Sequence, residues 1–260
     1  MSYTSILYDI KERVALITLN RPEKLNSLSP AIWKELRQAL EQGEIDADVS
    51  IHMLTGNGRA FCAGDDINVL PTLKDPADAD ELFIGCIYAL VESIARLRKP
   101  LIAAVNGLAY GGGCELVLLS DLAIASEKAM FALPEGRIGA FPAIFASFGP
   151  PFLGIKRSNE LTLIAEPFSA QRATDIGLVN RVVPDEQLME VAFKIAGQLM
   201  QSSADAIRVV KENSLKIMGD HLYSFWISCQ RFSREIARTE DFFEGATAFV
   251  EKRHPEFKGR

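Results

Sequence analysis

The chain has 260 residues, a formal net charge of −6 and 48% hydrophobic residues. That is the composition of a soluble globular protein with enough apolar sequence for a sizeable core. The acidic balance, with a pI near 5.3, argues against a general nucleic-acid or anionic-membrane binder. Cys62, Cys86, Cys114 and Cys229 form no C-x-x-C pair and imply a reduced, cytoplasmic setting. No apolar run reaches membrane-spanning length, and the N-terminus lacks the basic-then-apolar pattern of a leader.

In chain order, "RVALITLN" (13–20) reads as a strand ending at the turn "RPEK". "SPAIWKELRQALEQ" spaces Ile32, Trp33, Leu36 and Leu40 at helical intervals, with Ser29 as N-cap and Pro30 at the first helical position. "VSIHMLTG" returns as a strand, followed by the loop "NGRAFCAGDD". Residues 80–98 predict one long amphipathic helix. "PLIAAVNG" is short, apolar and uncharged, so it predicts a strand buried on both faces. Then come a helix over "ELVLLSD" and strands at "LAIAS" and "AMFAL". Beyond about Ser169 the chain is helical, in the segments "SAQRATDIG", "DEQLMEVAFKIAGQLMQ", "SADAIRVVKENSLKIM" and 221–251. Strands alternating with helices and then a helical tail predict an α/β core, residues 1–198, with an α-helical region at 199–260.

Three stretches carry chemistry. "NGLAYGGGCEL" (106–116) fits neither the dinucleotide fingerprint nor a P-loop nor a nucleophile elbow. With three histidines in the chain, none beside a cysteine or acid cluster, metal chemistry has no support. What remains is a strand, a glycine turn and a helix start, where backbone N–H groups lack intrahelical partners. Gly111, Gly112 and Gly113 would let a ligand oxygen approach them, or would serve tight helix–strand packing; the stretch alone leaves both open. Glu115 follows at once. "AFCAGDDI" (60–67) is a second small-residue turn after a strand, with Ala63 and Gly64 able to present another N–H, or with Asp65 or Asp66 as a plain N-cap. In "FALPEGRIGAFP", Glu135 sits between Pro134 and Gly136, an unusual residue for a turn.

Together with "ITLNRPEKLNSLS", "KPLIAAVNGLAYGGGCELVLLSDLAIAS", "SAQRATDIGLVNRVVP" and "EDFFEGATAFVEKRHPEF", these blocks closely resemble the enoyl-CoA hydratase/isomerase (crotonase) family over nearly the whole chain. The resemblance implies a right-handed spiral of ββα units with a C-terminal helical trimerisation region, and a trimer or dimer of trimers. It implies an acyl-CoA thioester as substrate, no permanently bound cofactor, no metal, no nucleic acid and no membrane. By match, the N–H groups of Ala63 and Gly112 form the oxyanion hole, and Glu115 and Glu135 act on water and substrate. The coenzyme A site falls on Lys24, Leu25, Ala63, Gly64, Asp65, Asp66, Ile67, Gly111 and Gly112. Lys252 or Arg253 reaches a neighbouring subunit's ligand. Both glutamates together favour a hydratase over an isomerase of the same family. One departure stands out: in "GAFPAIFASFGPPFLG", Ala143, Ile144, Phe145 and Ala146 replace glycines and Phe152 stands near a usual arginine, which would reshape the acyl pocket or simply repack a helix end. A family relative binds RNA through a lysine-rich first helix, but here Lys34 and Arg37 are opposed by Glu35, Glu41 and Glu44.

Overall fold

A computed structural model describes residues 3–73 and 75–259. The chain opens with a hairpin, β1 (Ile6–Lys11) and β2 (Val14–Leu19), and then α1 (Pro30–Ile45). Ser29 caps α1 as its spacing predicts, its side chain accepting from the Ile32 N–H, a contact typically worth about 1 kcal/mol. Strands β3 (Ile51–Gly56) and β4 (Ala60–Cys62) follow. The predicted helix at 80–98 is a composite: α2 (Pro76–Asp80), a π-helical segment (Glu81–Tyr88) and α3 (Ala89–Ala95). The π register shifts the helix face in mid-course, which periodicity counting at 3.6 does not anticipate. Next come β5 (Leu101–Val105), β6 (Leu108–Tyr110), α4 (Gly112–Leu119), β7 (Leu122–Ser126) and β8 (Met130–Ala132). Then follow α5 (Ala143–Leu153), α6 (Ile155–Asn159), β9 (Phe168–Ser169), α7 (Ala170–Asp175) and β10 (Arg181–Val183). The chain ends in α8 (Leu188–Leu199), α9 (Ala204–Arg234) and α10 (Glu240–Glu251). Residues 204–234, read from sequence as two segments, are one 31-residue helix.

The strands divide between two sheets. One has the order β1-β2-β3-β5-β7-β10 and the other β4-β6-β8-β9. Successive strand pairs β3/β4, β5/β6 and β7/β8 therefore send their first member to the large sheet and their second to the small one. Each such pair is followed by helix. This is a spiral of ββα turns. Apart from the β1/β2 and β8/β9 pairs, all pairings are parallel.

β5 is buried along its whole length, as its composition predicts. Ile102 and Ala104 face one side and pack with Met53 and Ile124 against Leu188, Ala192 and Ile195 of α8. Leu101, Ala103 and Val105 face the other and join the main core of Trp33, Phe61, Phe131 and Phe148. The two-residue period of a strand delivers alternate side chains to the two layers. The C-terminal helices also pack on this core: Phe225, Phe232 and Phe242 are buried by their own chain.

Candidate active site

The small sheet builds the site. β4, β6 and β8 are adjacent and parallel, so their C-terminal ends lie side by side. From those ends emerge Ala63-Gly64-Asp65, Gly111-Gly112 and Pro134-Glu135, the three stretches singled out in the sequence. Crevices at the carboxyl ends of parallel strands are where α/β folds bind ligands. Ala63, Gly64, Asp65, Gly111, Glu115 and Glu135 all line one cavity there.

The glycine run serves two purposes. Gly111 has φ +51°, and a Cβ on it would lie 2.9 Å from Glu135 Oε1. A Cβ on Gly113 would lie 2.3 Å from the carbonyl oxygen of Cys62. These two glycines let β4, α4 and the Glu135 turn approach one another. Gly112 differs: a Cβ there meets side chains, Leu28 Cδ1 at 3.0 Å and Trp33 Cζ2 at 3.4 Å. Gly112 opens α4, so its N–H has no acceptor within the helix. Gly64 (φ +89°) packs against it; a Cβ there would lie 3.3 Å from Gly112 N.

The Ala63 amide, which the resemblance assigns to the oxyanion hole, already has an acceptor. The Ala63 N–H donates to Leu25 O at 2.9 Å. On the same strip Leu28 donates to Gly64 O and Asp66 donates to Leu28 O, the pattern of a one-residue parallel bridge between Leu28 and Asp65. In that pattern the Asp65 N–H points away from Leu28 and, among the described residues, has no protein acceptor; Asp65 itself lines the cavity. Sequence inspection missed it because the acceptor that occupies Ala63 belongs to a loop 38 residues earlier. Gly64, at φ +89°, breaks the extended run between the two residues, so no residue pattern in the stretch signals the difference.

Glu115 lies in the first turn of α4 and is buried, and its Oε1 accepts from Phe145 N at 2.8 Å. Phe145 lies near the N-terminus of α5, so the replaced-glycine segment holds this acid. Ala143 and Ile144 line the cavity, whereas Phe152 lies outside it and is exposed. Glu135 opens a 3-10 turn, Glu135–Ile138, and its Oε2 is buried with no hydrogen-bond partner. Burial pushes the Glu115 carboxyl up to about 8, the Phe145 N–H opposing and Asp65 adding to the rise. Glu135 is also pushed well up, first by burial and then by Glu115. Two acids in one largely apolar cavity cannot both ionise easily, so their titrations are linked. The rest of the wall is apolar, including Leu70, Phe83, Ile87, Phe141, Ile144 and Phe232. The Phe232 ring, from α9, packs 4.2 Å from Phe83 and 4.9 Å from Phe141, centroid to centroid. The α9 helix thus roofs the cavity of its own chain.

The loop expected to hold the nucleotide end of coenzyme A adjoins the cavity. Lys24 and Arg21 both pair with Asp66 Oδ2, at 3.6 and 3.2 Å. Leu25 and Asn26 have positive φ. Buried Asn26 accepts from Arg21 N and donates to Asn57 O and Ala60 O, tying this loop to β4. Ile67 lines the cavity. Lys252 caps α10 from an exposed position and does not line the cavity, while Arg253 is committed to Glu244 and Glu251. No group of three or more His, Cys, Asp or Glu placed to hold a metal ion occurs among the described residues.

The comparisons with known proteins match this arrangement. The family model for enoyl-CoA hydratase/isomerase fits residues 9–260. A probable enoyl-CoA hydratase of Mycobacterium bovis is 36% identical over the full length of both chains. A 1,2-epoxyphenylacetyl-CoA isomerase of Escherichia coli is 34% identical over 98% of each. The crystal structure of a carnitinyl-CoA hydratase from Mycobacterium avium superposes with a TM-score of 0.85 at 32% identity, covering 100% of both chains. The ββα spiral, the paired turns at the ends of β4 and β6, and these full-length likenesses place the chain in the enoyl-CoA hydratase/isomerase family, with the crotonase fold.

Proposed function

We propose that the protein is an enoyl-CoA hydratase, adding water reversibly across the 2,3 double bond of an enoyl-CoA thioester. The observation that carries this reading is the pair of acids lining one cavity, Glu115 buried and Glu135 with a buried, unpartnered Oε2, beside the helix-opening amide of Gly112 and the turn that carries Asp65. The thioester oxygen binds the N–H groups of Gly112 and Asp65, the latter in place of Ala63. Negative charge that develops on that oxygen during attack is stabilised there, at the N-terminus of α4, where one such donor is typically worth about 2.7–4 kcal/mol. Water oxygen bonds to C3, one of its protons passes to a glutamate carboxylate, and a proton from the other glutamate reaches C2. Glu115 receives an N–H bond that favours its carboxylate, so it is the base. Glu135 has no partner at Oε2 and burial holds its carboxyl well above the usual range, so it holds the proton for C2.

The apolar, aromatic wall suits a short or planar hydrocarbon acyl group, with the carboxyls as the polar exception. Lys24, Leu25, Asp66 and Ile67 cradle the nucleotide part. An isomerase would use the same pair to carry a proton between C2 and C4, the second reading that the isomerase relative keeps in view. Incubating the protein with short, branched and aryl enoyl-CoA esters is expected to bleach the conjugated thioester absorbance with gain of one water in product mass. A product isomeric with its substrate would instead establish the isomerase, and no reaction across the panel would overturn both.

The region 199–260 serves assembly. Tyr223 and Ile227 of α9 and Phe249 and Val250 of α10 remain exposed, apolar faces that a second and third copy would cover, bringing Lys252 to a neighbour's coenzyme A. Light scattering at micromolar concentration is expected to give a trimer or hexamer of the 28.6 kDa chain; a stable monomer would remove this idea. The composition and the four unpaired cysteines favour a cytoplasmic enzyme.

A further inference from the structure

The cavity holds a third carboxyl, which the two-glutamate chemistry does not use. Asp65 lines it together with Glu115 and Glu135. Its Oδ1 accepts from Trp33 Nε1 at 2.8 Å, and Trp33 is wholly buried in α1. Its other oxygen, Oδ2, reaches Gly112, lying 3.6 Å from where a Cβ on that glycine would stand. The side chain therefore joins three things: the α1 helix behind the site, its own free amide, and the glycine that carries the facing amide.

We propose that Asp65 is a positioning residue for hydration, which clamps the two oxyanion amides in register through Trp33 and sets the charge of the glutamate pair. This rests on the function proposed above. The clamp works because the two amides come from separate turns, after β4 and after β6, and an oxyanion hole loses its effect when its donors shift. Trp33 fixes residue 65, and the Asp65 carboxyl lies against Gly112.

The charge effect follows from shared burial. The groups facing Asp65 are Trp33 from α1, Asp66 and Cys62 on its own strip, Glu115 from α4 and Glu135 from the turn after β8. Arg21 and Lys24 are already paired with Asp66, so the described cations nearest the strip are spent on its neighbour. Burial, with Asp66 adding to it and Trp33 opposing, lifts the Asp65 carboxyl to about 6. It is neutral below that pH and negative above it. Once negative, it holds protons on Glu115 and Glu135, as both their upward shifts record. It thereby delays the pH at which the pair releases its first proton and supplies a base.

The test compares Asp65→Asn, which keeps an oxygen for Trp33 but no charge, with Asp65→Ala, which keeps neither. The acid limb of kcat/KM in the Asn variant is expected to move about half a pH unit or more to lower pH. The Ala variant is expected to lose at least about tenfold more kcat than the Asn variant. A limb that stays in place in Asp65→Asn, or equal kcat in the two variants, would overturn the proposal. A second measurement does not depend on turnover. The chain has two tryptophans, and Trp33→Phe assigns the indole N–H signal of Trp33 by NMR. That signal should titrate with a midpoint above the ordinary aspartate range in the wild type and lose that step in Asp65→Asn. A flat Trp33 signal in the wild type would overturn the proposal even with hydration established. A titrating signal in a protein that hydrates no enoyl-CoA would instead place the failure in the functional reading.

Discussion

Glu115→Gln and Glu135→Gln are each expected to lower kcat by about 100-fold or more, the usual contribution of a positioned general acid or base. The amide keeps the shape of the side chain, and at position 115 its oxygen still accepts from Phe145 N. What is lost is the proton transfer. Binding of a saturated acyl-CoA should change much less. The same variants carry a stability signature of opposite sign. Glu115 has an ordinary value of 4.5 and is raised to about 8 in the folded chain, so folding holds its proton more tightly than the unfolded chain does. The stability tied to that proton is complete below about pH 4.5 and is lost as pH rises through about 8. A glutamine cannot ionise and escapes this loss. Thermal unfolding should therefore show Glu115→Gln gaining on the wild type between pH 5 and 8 while turning over far more slowly. Near-native kcat in either variant would remove that residue from the chemistry, and a Tm gap independent of pH would contradict the buried, proton-holding state.

The second large effect separates neighbouring glycines. Gly113→Ala puts a methyl 2.3 Å from a backbone oxygen, Cys62 O, in a strand that cannot yield without opening the β4–β6 pairing. Overpacking of this kind costs about 1–3 kcal/mol and occasionally more. The variant is expected to fold poorly, with activity and Tm falling together. Gly112→Ala meets side chains, not backbone: Leu28 Cδ1 at 3.0 Å, Trp33 Cζ2 at 3.4 Å and Asp65 Oδ2 at 3.6 Å, and the tightest of them, Leu28, can give by a few tenths of an ångström. It should fold, assemble and melt near the wild type, yet lose kcat/KM by about two orders of magnitude as the methyl displaces the amide beside it. Thermal stability, assembly size and kcat/KM measured on one preparation of each variant decide the matter. A stable Gly112→Ala with native kcat/KM would show that this amide does not bind the reacting oxygen.

Some of this was legible without a fold. Ser29, Pro30 and the spacing of Ile32, Trp33, Leu36 and Leu40 define α1 because capping and 3.6-residue periodicity are local. The uncharged run 101–105 had to be a doubly buried strand, and it is. Glu135 stood out because local propensity does not explain a glutamate in that turn, whereas Glu115, an ordinary first-turn acid by itself, stood out by its place directly behind the glycine run. Short strands were harder. β1, β4, β6, β9 and β10 are two to six residues long, and their existence depends on partners far along the chain rather than on their own pattern.

What the sequence by itself determined is the family, the order of its blocks and the residue types that carry chemistry. Tertiary structure decided which atoms face the ligand. Ala63 and Asp65 are two residues apart and look equally able to offer an amide, yet Leu25 takes the first and leaves the second. The four glycines look alike, yet Gly113 answers to a carbonyl of β4 and Gly112 to side chains of α1 and the loop before it. Asp65 reads as a plain N-cap until Trp33 is seen to hold it beside Gly112. In each case the deciding contact joins segments about 30 to 85 residues apart. Hydrogen bonding and close packing are satisfied across such distances only once the chain is folded.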